Sequence, residues 1–155
     1  MTAPPVLVGV DVVEVDRISR AVAYSGPAYA RHVTAPDEPP LHPDPDLATA
    51  AGVAVKESLV KALGGRPAGF SWHDFAAGLA VPDPVRDLLD GAVPELAATA
   101  DIALDRFCGY TVRGASAEAA RARFAGGAVG AARWGWRGNL VVAVAILTTL
   151  PEGAR

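Results

Sequence analysis

The stretch Val53 to Gly65, VAVKESLVKALGG, carries the reading of the fold. It is predicted to be the second half of a helix. Pro45-Asp46 is the expected start, with Asp46 as N-cap, and Gly64-Gly65 followed by Pro67 is the stop. Leu47, Ala51, Val55, Leu59 and Ala62 step around one apolar stripe, the face such a helix would turn to a core. Glu57 and Lys61 are four residues apart, so they stand one turn from each other on one face. Of the 14 Lys plus Arg, only Lys56 and Lys61 are lysine. Two compact ammonium groups kept on one helix, in a chain that otherwise uses arginine, point to a site that wants a point charge. The alternative is an ordinary surface ion pair one helical turn long.

Upstream, Val6 to Val13, VLVGVDVV, is a β-branched run expected to form a buried strand. Asp11 interrupts it. A carboxylate there needs a partner, a metal or backbone amides at the strand's end, because burying it bare costs several kcal/mol or more. Asp16 to Arg20 opens a helix that carries Arg17 and Arg20, and Gly26-Pro27 breaks it. A shorter helix from Ala28 to Val33 exposes Arg31. Ala35 to Asp46, APDEPPLHPDPD, is Pro-rich and acidic and is expected to be a mobile loop, with His42 solvated.

Downstream, Phe70 to Val81 is read as a strand, and His73 in it has no metal-spaced companion. Pro84 to Asp90 and Pro94 to Asp105 are read as two short helices. Phe107 to Arg113 is a strand, and Ser116 to Ala125 a helix capped by Ser116. Gly126 to Gly130 is a turn, and Leu140 to Leu147, LVVAVAIL, a second buried strand. Helices mixed with non-local strands make this an α+β domain, expected to be single at 155 residues.

Composition narrows the function. Hydrophobic residues are 51% and the formal net charge is −3, so the chain lacks a general nucleic-acid footprint and any electropositive site must be local. A single cysteine, Cys108, excludes an internal disulfide and a thiolate zinc site. MTAPPVLVGV lacks the basic start of a signal peptide, and Leu140 to Leu150 is too short to span a bilayer, so a cytoplasmic protein with no membrane partner is expected. Walker, dinucleotide-binding, nucleophile-elbow and zincin motifs are absent from the sequence. What remains is Asp11 on a strand with Glu57 and Lys61 on a helix. Two carboxylates with few other ligands suit Mg²⁺, which keeps waters and substrate phosphates in its shell. The adjacent lysine suits a phosphate or pyrophosphate substrate.

The same residues resemble the holo-acyl-carrier-protein synthases, the small 4′-phosphopantetheinyl transferases. Gly9-Val10-Asp11-Val12-Val13-Glu14-Val15-Asp16-Arg17-Ile18 resembles that family's opening G-x-D-x-x-x-x-x-R-I. Ala54 to Gly64 resembles its second motif, A-x-K-E-A-x-x-K-A-x-G, and Arg31-His32-Val33-Thr34 with Glu38 resembles the element between them. Gly109 to Ala117 is a looser match to a later segment, with Tyr110-Thr111 replacing Lys-Pro. The good match covers about residues 8–64, and 80–106 is expected to be an insertion. The resemblance implies an antiparallel sheet packed with helices and a homotrimer with sites between subunits. It implies Mg²⁺ held by Asp11 and Glu57 against the pyrophosphate of coenzyme A. Lys61 would neutralise developing phosphate charge, with Lys56 assisting and Gly64 beside the coenzyme. A carrier-protein serine, deprotonated by a metal-bound water or by Glu57, would attack the β-phosphate and release 3′,5′-ADP. Arg17, Arg20 and Arg31 would face the acidic acyl carrier protein.

Three positions depart from the family. Gly52 stands where an arginine is usual. Trp134-Gly135-Trp136-Arg137-Gly138-Asn139 stands where a Ser-His pair is usual, and the Lys-Pro pair is missing. Trp134 or Trp136 stacking on adenine and Arg137 taking a phosphate would restore contacts to coenzyme A; the alternative is that the two tryptophans pack an edge or an oligomer interface. Two rival functions stay open: a relative that grips a carrier protein or partner subunit without transferring anything, and other chemistry on a carrier-bound substrate.

Overall fold

The computed structural model of the protein describes residues 4–150. In chain order the elements are β1 (Val6–Glu14), α1 (Val15–Ser25), α2 (Pro27–Val33), α3 (Pro45–Leu63), a 3-10 turn (Trp72–Asp74), β2 (Phe75–Ala77), α4 (Asp83–Ala100), β3 (Arg106–Val112), α5 (Gly114–Arg123), β4 (Ala128–Arg137) and β5 (Leu140–Thr149). The strands form one antiparallel sheet in the order β1-β5-β4-β3-β2. The α+β expectation holds.

α3 crosses one face of this sheet. Leu47, Ala51, Val55, Leu59 and Ala62, the stripe expected from the sequence, are all buried there. Its C-terminus is the expected one: Gly64 takes the left-handed conformation (φ 99°), and the next amide, Gly65 N–H, donates to the Val60 carbonyl at 3.0 Å. Its start is two residues earlier than expected. Asp44 is the N-cap, accepting from the amides of Asp46 and Leu47, and Pro45 occupies the first helical position, where its missing N–H costs nothing. Asp46 lies inside the first turn and accepts the Ser19 hydroxyl.

β1 is an edge strand rather than the buried one expected. Leu7, Gly9, Asp11 and Val13 alternate toward α3, while Val8, Val10 and Val12 face away and are 51%, 37% and 54% exposed. These valines pair across to Ile146, Val144 and Val142 of the central strand β5. Those β5 side chains are buried with Val85 and Leu89 of α4, Ile102 and Leu104 in a second core on that face. α4 thus covers the middle of the sheet and leaves the β1 column open.

Four other expectations are corrected. The strand read over Phe70 to Val81 shrinks to the three residues of β2, because Ser71 and Asp74 close a capping box around the preceding turn. The two short helices of 84–105 are one helix with Pro94 inside it. It persists because tertiary burial of its apolar face outweighs the lost hydrogen bond. α5 starts two residues before Ser116, which is buried and held by Asp74 Oδ2 through both its amide and its hydroxyl. β4 begins inside the expected glycine turn and was not read as a strand at all. Its Gly, Ala, Arg and Trp residues lack the β-branched signal.

The Pro-rich loop is fastened rather than loose. Glu38 accepts from the Ala35 and Ala77 amides and from Lys56 Nζ at 2.7 Å.

Candidate active site

The site begins with a glycine. A Cβ on Gly9 would lie 1.9 Å from the Ser58 carbonyl oxygen, so only glycine lets α3 come this close to β1. Ser58 helps the approach by turning its hydroxyl back onto the Ala54 carbonyl of its own helix at 2.8 Å. Asp11 follows two residues later on the face of β1 turned to α3. Lys61, one turn past Glu57, donates to Asp11 Oδ1 at 2.7 Å and to the Val10 carbonyl at 3.2 Å. The close approach therefore brings the strand carboxylate to the helix cation.

Glu57 and Lys61 do not pair with each other. Glu57 Oε1 accepts from Arg66 Nη2 at 2.8 Å, an interaction the sequence reading missed. Each carboxylate of the site is thus engaged by one cation, and all four side chains are partly solvated: Asp11 is 15% and Glu57 27% exposed, Lys61 54% and Arg66 52%. No group of three or more His, Cys, Asp or Glu able to hold a metal occurs among the described residues. Two carboxylates on adjoining elements fit a hard cation that takes the rest of its shell from water and substrate oxygens, and do not fit a zinc site.

Lys56 is not part of this surface. It is 1% exposed, and its ammonium donates to Glu38 Oε2 (2.7 Å), the Val33 carbonyl (2.7 Å) and the Trp72 carbonyl (3.1 Å). Those acceptors use all three of its protons. Burial pushes its pKa down, and the neighbouring Glu38 pushes back. Its work is to tie α3 to the loop after α2 and to the turn before β2, and its placement leaves it no proton for a phosphate.

Of the other residues singled out, Arg17, Arg20 and Arg31 are exposed on α1 and α2. Gly64 is exposed at the end of α3, with Arg123 reaching the neighbouring Leu63 carbonyl at 3.1 Å. Trp134 is 1% exposed and packs in the core, so it has no face to offer adenine. Trp136 is 37% exposed, with His42 set edge-on at 5.0 Å and the Arg106 guanidinium over its ring at 5.2 Å. His42 is therefore a packing partner rather than a solvated side chain. Arg137 pairs with Asp101. Gly135 of β4 faces the segment that follows α4. A Cβ there would sit 1.9 Å from the Ala103 carbonyl oxygen, so the return from α4 to β3 fills the space that a side chain would need. Gly109 seats the other end of that segment, 2.1 Å from the Leu79 carbonyl oxygen by the same measure.

No family model matches the chain. Over 68 residues it is 46% identical to a holo-[acyl-carrier-protein] synthase of Clavibacter sepedonicus, covering 44% of this chain and 53% of that protein. Over 81 residues it is 42% identical to the synthase of Salinispora arenicola, covering 51% of this chain and 63% of that one. The chain thus spans little more than half the length of the curated relatives it matches. Its fold is similar to that of the holo-[acyl-carrier-protein] synthase of Neisseria meningitidis, with a TM-score of 0.63 at 19% identity over 92% of this chain and 97% of that one. It is also similar to the Helicobacter pylori synthase crystallised in complex with coenzyme A, with a TM-score of 0.61 at 18% identity over 92% and 100% of the two chains. The resemblance read from the motifs is borne out, in sequence over part of the chain and in fold over nearly all of it.

Proposed function

We propose that this protein transfers 4′-phosphopantetheine from coenzyme A to a serine of an apo acyl carrier protein, with Mg²⁺. The observation that carries the reading is the contact of Lys61 with Asp11 at 2.7 Å, one helical turn from Glu57, on the fold of the holo-acyl-carrier-protein synthases. Asp11 and Glu57 are the residues that would hold the ion. When bound, it polarises the phosphoryl oxygens and offsets their charge. Lys61, adjoining the ion site and half exposed, neutralises charge that grows on the transferred phosphoryl group. The serine Oγ forms a bond to the β-phosphorus. The bond from that phosphorus to the bridging oxygen breaks, and 3′,5′-ADP leaves with the electron pair. The serine proton goes to a base, for which Glu57 is the carboxylate at hand.

The carrier partner fits Arg17, Arg20 and Arg31, exposed cations on a chain of net charge −3. A local basic patch of this kind steers an acidic partner. Self-association as a homotrimer is supported by the Val8, Val10 and Val12 column on an edge strand, an apolar strip that none of the described residues covers. Val10→Asp is expected to shift the sedimentation coefficient to that of a monomer; an unchanged value would remove β1 from the interface. A cytoplasmic location goes with the substrates. Among the described residues no helix is long and apolar enough to cross a membrane.

The stretch Trp134 to Asn139, which carries neither Ser nor His, favours one alternative: a relative that binds the carrier without modifying it. Release of 3′,5′-ADP from coenzyme A and an apo carrier separates the two readings. Release that stops when Mg²⁺ is chelated supports transfer. Carrier binding with no release supports the alternative.

A further inference from the structure

Arg66 is the first residue beyond the Gly64-Gly65 stop. Both glycines have positive φ, 99° and 127°, and together they fold the chain back over the last turns of α3. The Arg66 guanidinium arrives above Glu57, with Nη2 2.8 Å from Oε1. Two rings hold it there, Phe70 at 5.3 Å and Trp72 at 5.0 Å, themselves packed edge-on at 5.6 Å. A surface cation that merely balanced a glutamate would contribute little and would not need an aromatic seat. One nitrogen serves Glu57; the rest of the fork has no protein acceptor among the described residues, and the side chain is 52% exposed.

We propose that Arg66 is a phosphate-binding residue of the site, and that it changes partners as the site fills. This rests on the transferase reading above. Asp11 and Glu57 carry two negative charges, and Lys61 and Arg66 two positive, so the resting site is neutral. A divalent cation on the carboxylates displaces Arg66 from Glu57 and leaves a local charge of about plus two, suited to a diphosphate. The freed fork, still seated on Phe70 and Trp72, takes phosphate oxygens of coenzyme A with the bidentate geometry that guanidinium favours. It supplies a cation in a chain where Gly52 replaces the usual arginine and Lys56 is turned into the core.

The exchange has a signature in two opposite directions, read by calorimetry on the intact chain with Mg²⁺ alone and then with coenzyme A at saturating Mg²⁺. Arg66→Gln removes a competitor for Glu57, so Mg²⁺ alone should bind about two- to five-fold tighter, the range an exposed ion pair supports. Coenzyme A should bind about tenfold weaker or more, as expected for loss of a charge-assisted contact. Arg66→Lys should bind Mg²⁺ like the wild type and recover only part of the coenzyme affinity. If both affinities stay unchanged in Arg66→Gln, or both fall, Arg66 is a structural prop and the proposal is wrong. If wild type and Glu57→Gln bind Mg²⁺ alike, the metal reading itself falls and takes the proposal with it.

Discussion

At the scale of residues, two lysines five positions apart on one helix do opposite work. Lys56 is spent on three acceptors inside the protein, whereas Lys61 reaches the site. Helical phase separates them: five residues on, Lys61 stands about 140° around α3 from Lys56, and that rotation decides which ammonium is buried. Lys61→Ala should lower kcat by about 10²–10³ with the fold kept, since a preorganised charge is lost and alanine suits a helix. Lys61→Arg should recover part of the rate. Steady-state transfer assays read both, and an unchanged rate in Lys61→Ala would make Lys61 a surface cation only. Tyr110 gives a second residue-scale expectation. Its hydroxyl is fully buried without a hydrogen-bond acceptor among the described residues, and Cys108 is the thiol beside it. Burial lifts the Tyr110 phenol well above its ordinary 10.0 and the Cys108 thiol above its ordinary 9.0. The folded protein therefore holds these protons more tightly than the unfolded chain. The stability they add is complete below about pH 9 and is lost as pH climbs beyond the unfolded values. Tyr110→Phe should be as stable as the wild type or about 1 kcal/mol more stable at pH 7. Its urea midpoint should also fall less steeply above pH 10; a large loss at pH 7 would mean the hydroxyl is well satisfied.

At the scale of elements, the close crossing of α3 over β1 is the decisive contact. Gly9→Ala would press a methyl group into the Ser58 carbonyl and lever the two elements apart. Overpacking of this kind costs about 1–3 kcal/mol, so Tm should drop by roughly 2–12 °C, and the Asp11–Lys61 contact should loosen with it. A melt that matches the wild type would mean the backbone yields without cost. The sequence made α3, β5 and β3 legible because each has a strong period or a β-branched run bounded by turn residues. It hid β4, which has five Gly or Ala residues, two Arg and a single β-branched residue, Val129, and it hid that Pro94 lies within one helix. β1 was legible as a strand but not as an edge, because Val8, Val10 and Val12 give an apolar run whether or not anything covers them. In the site, Asp11, Glu57 and Lys61 could be read from type and spacing. Arg66 could not, because its contact depends on a two-glycine reversal that places it over a residue nine positions earlier. The sequence signal was there only as Gly64-Gly65 followed by a cation.

At the scale of the whole molecule, the sheet has two unlike faces. One carries α3 and, at its β1 edge, the Asp11–Lys61 pair. The other is packed by α4 and its flanking segments over Gly109 and Gly135, with the β1 valines left open. The segment around α4 thus packs against the sheet through Gly109 and Gly135 as closely as α3 does through Gly9. The question for the molecule is whether two carboxylates, a lysine and an arginine suffice for transfer. The intact mass of an apo acyl carrier protein, after incubation with this protein, coenzyme A and Mg²⁺, answers it most directly. The account expects the carrier to gain one phosphopantetheine with the wild type, and no gain with Asp11→Asn or after chelation of the metal. A carrier whose mass stays unmodified by the wild type, or one modified equally by Asp11→Asn, would contradict it.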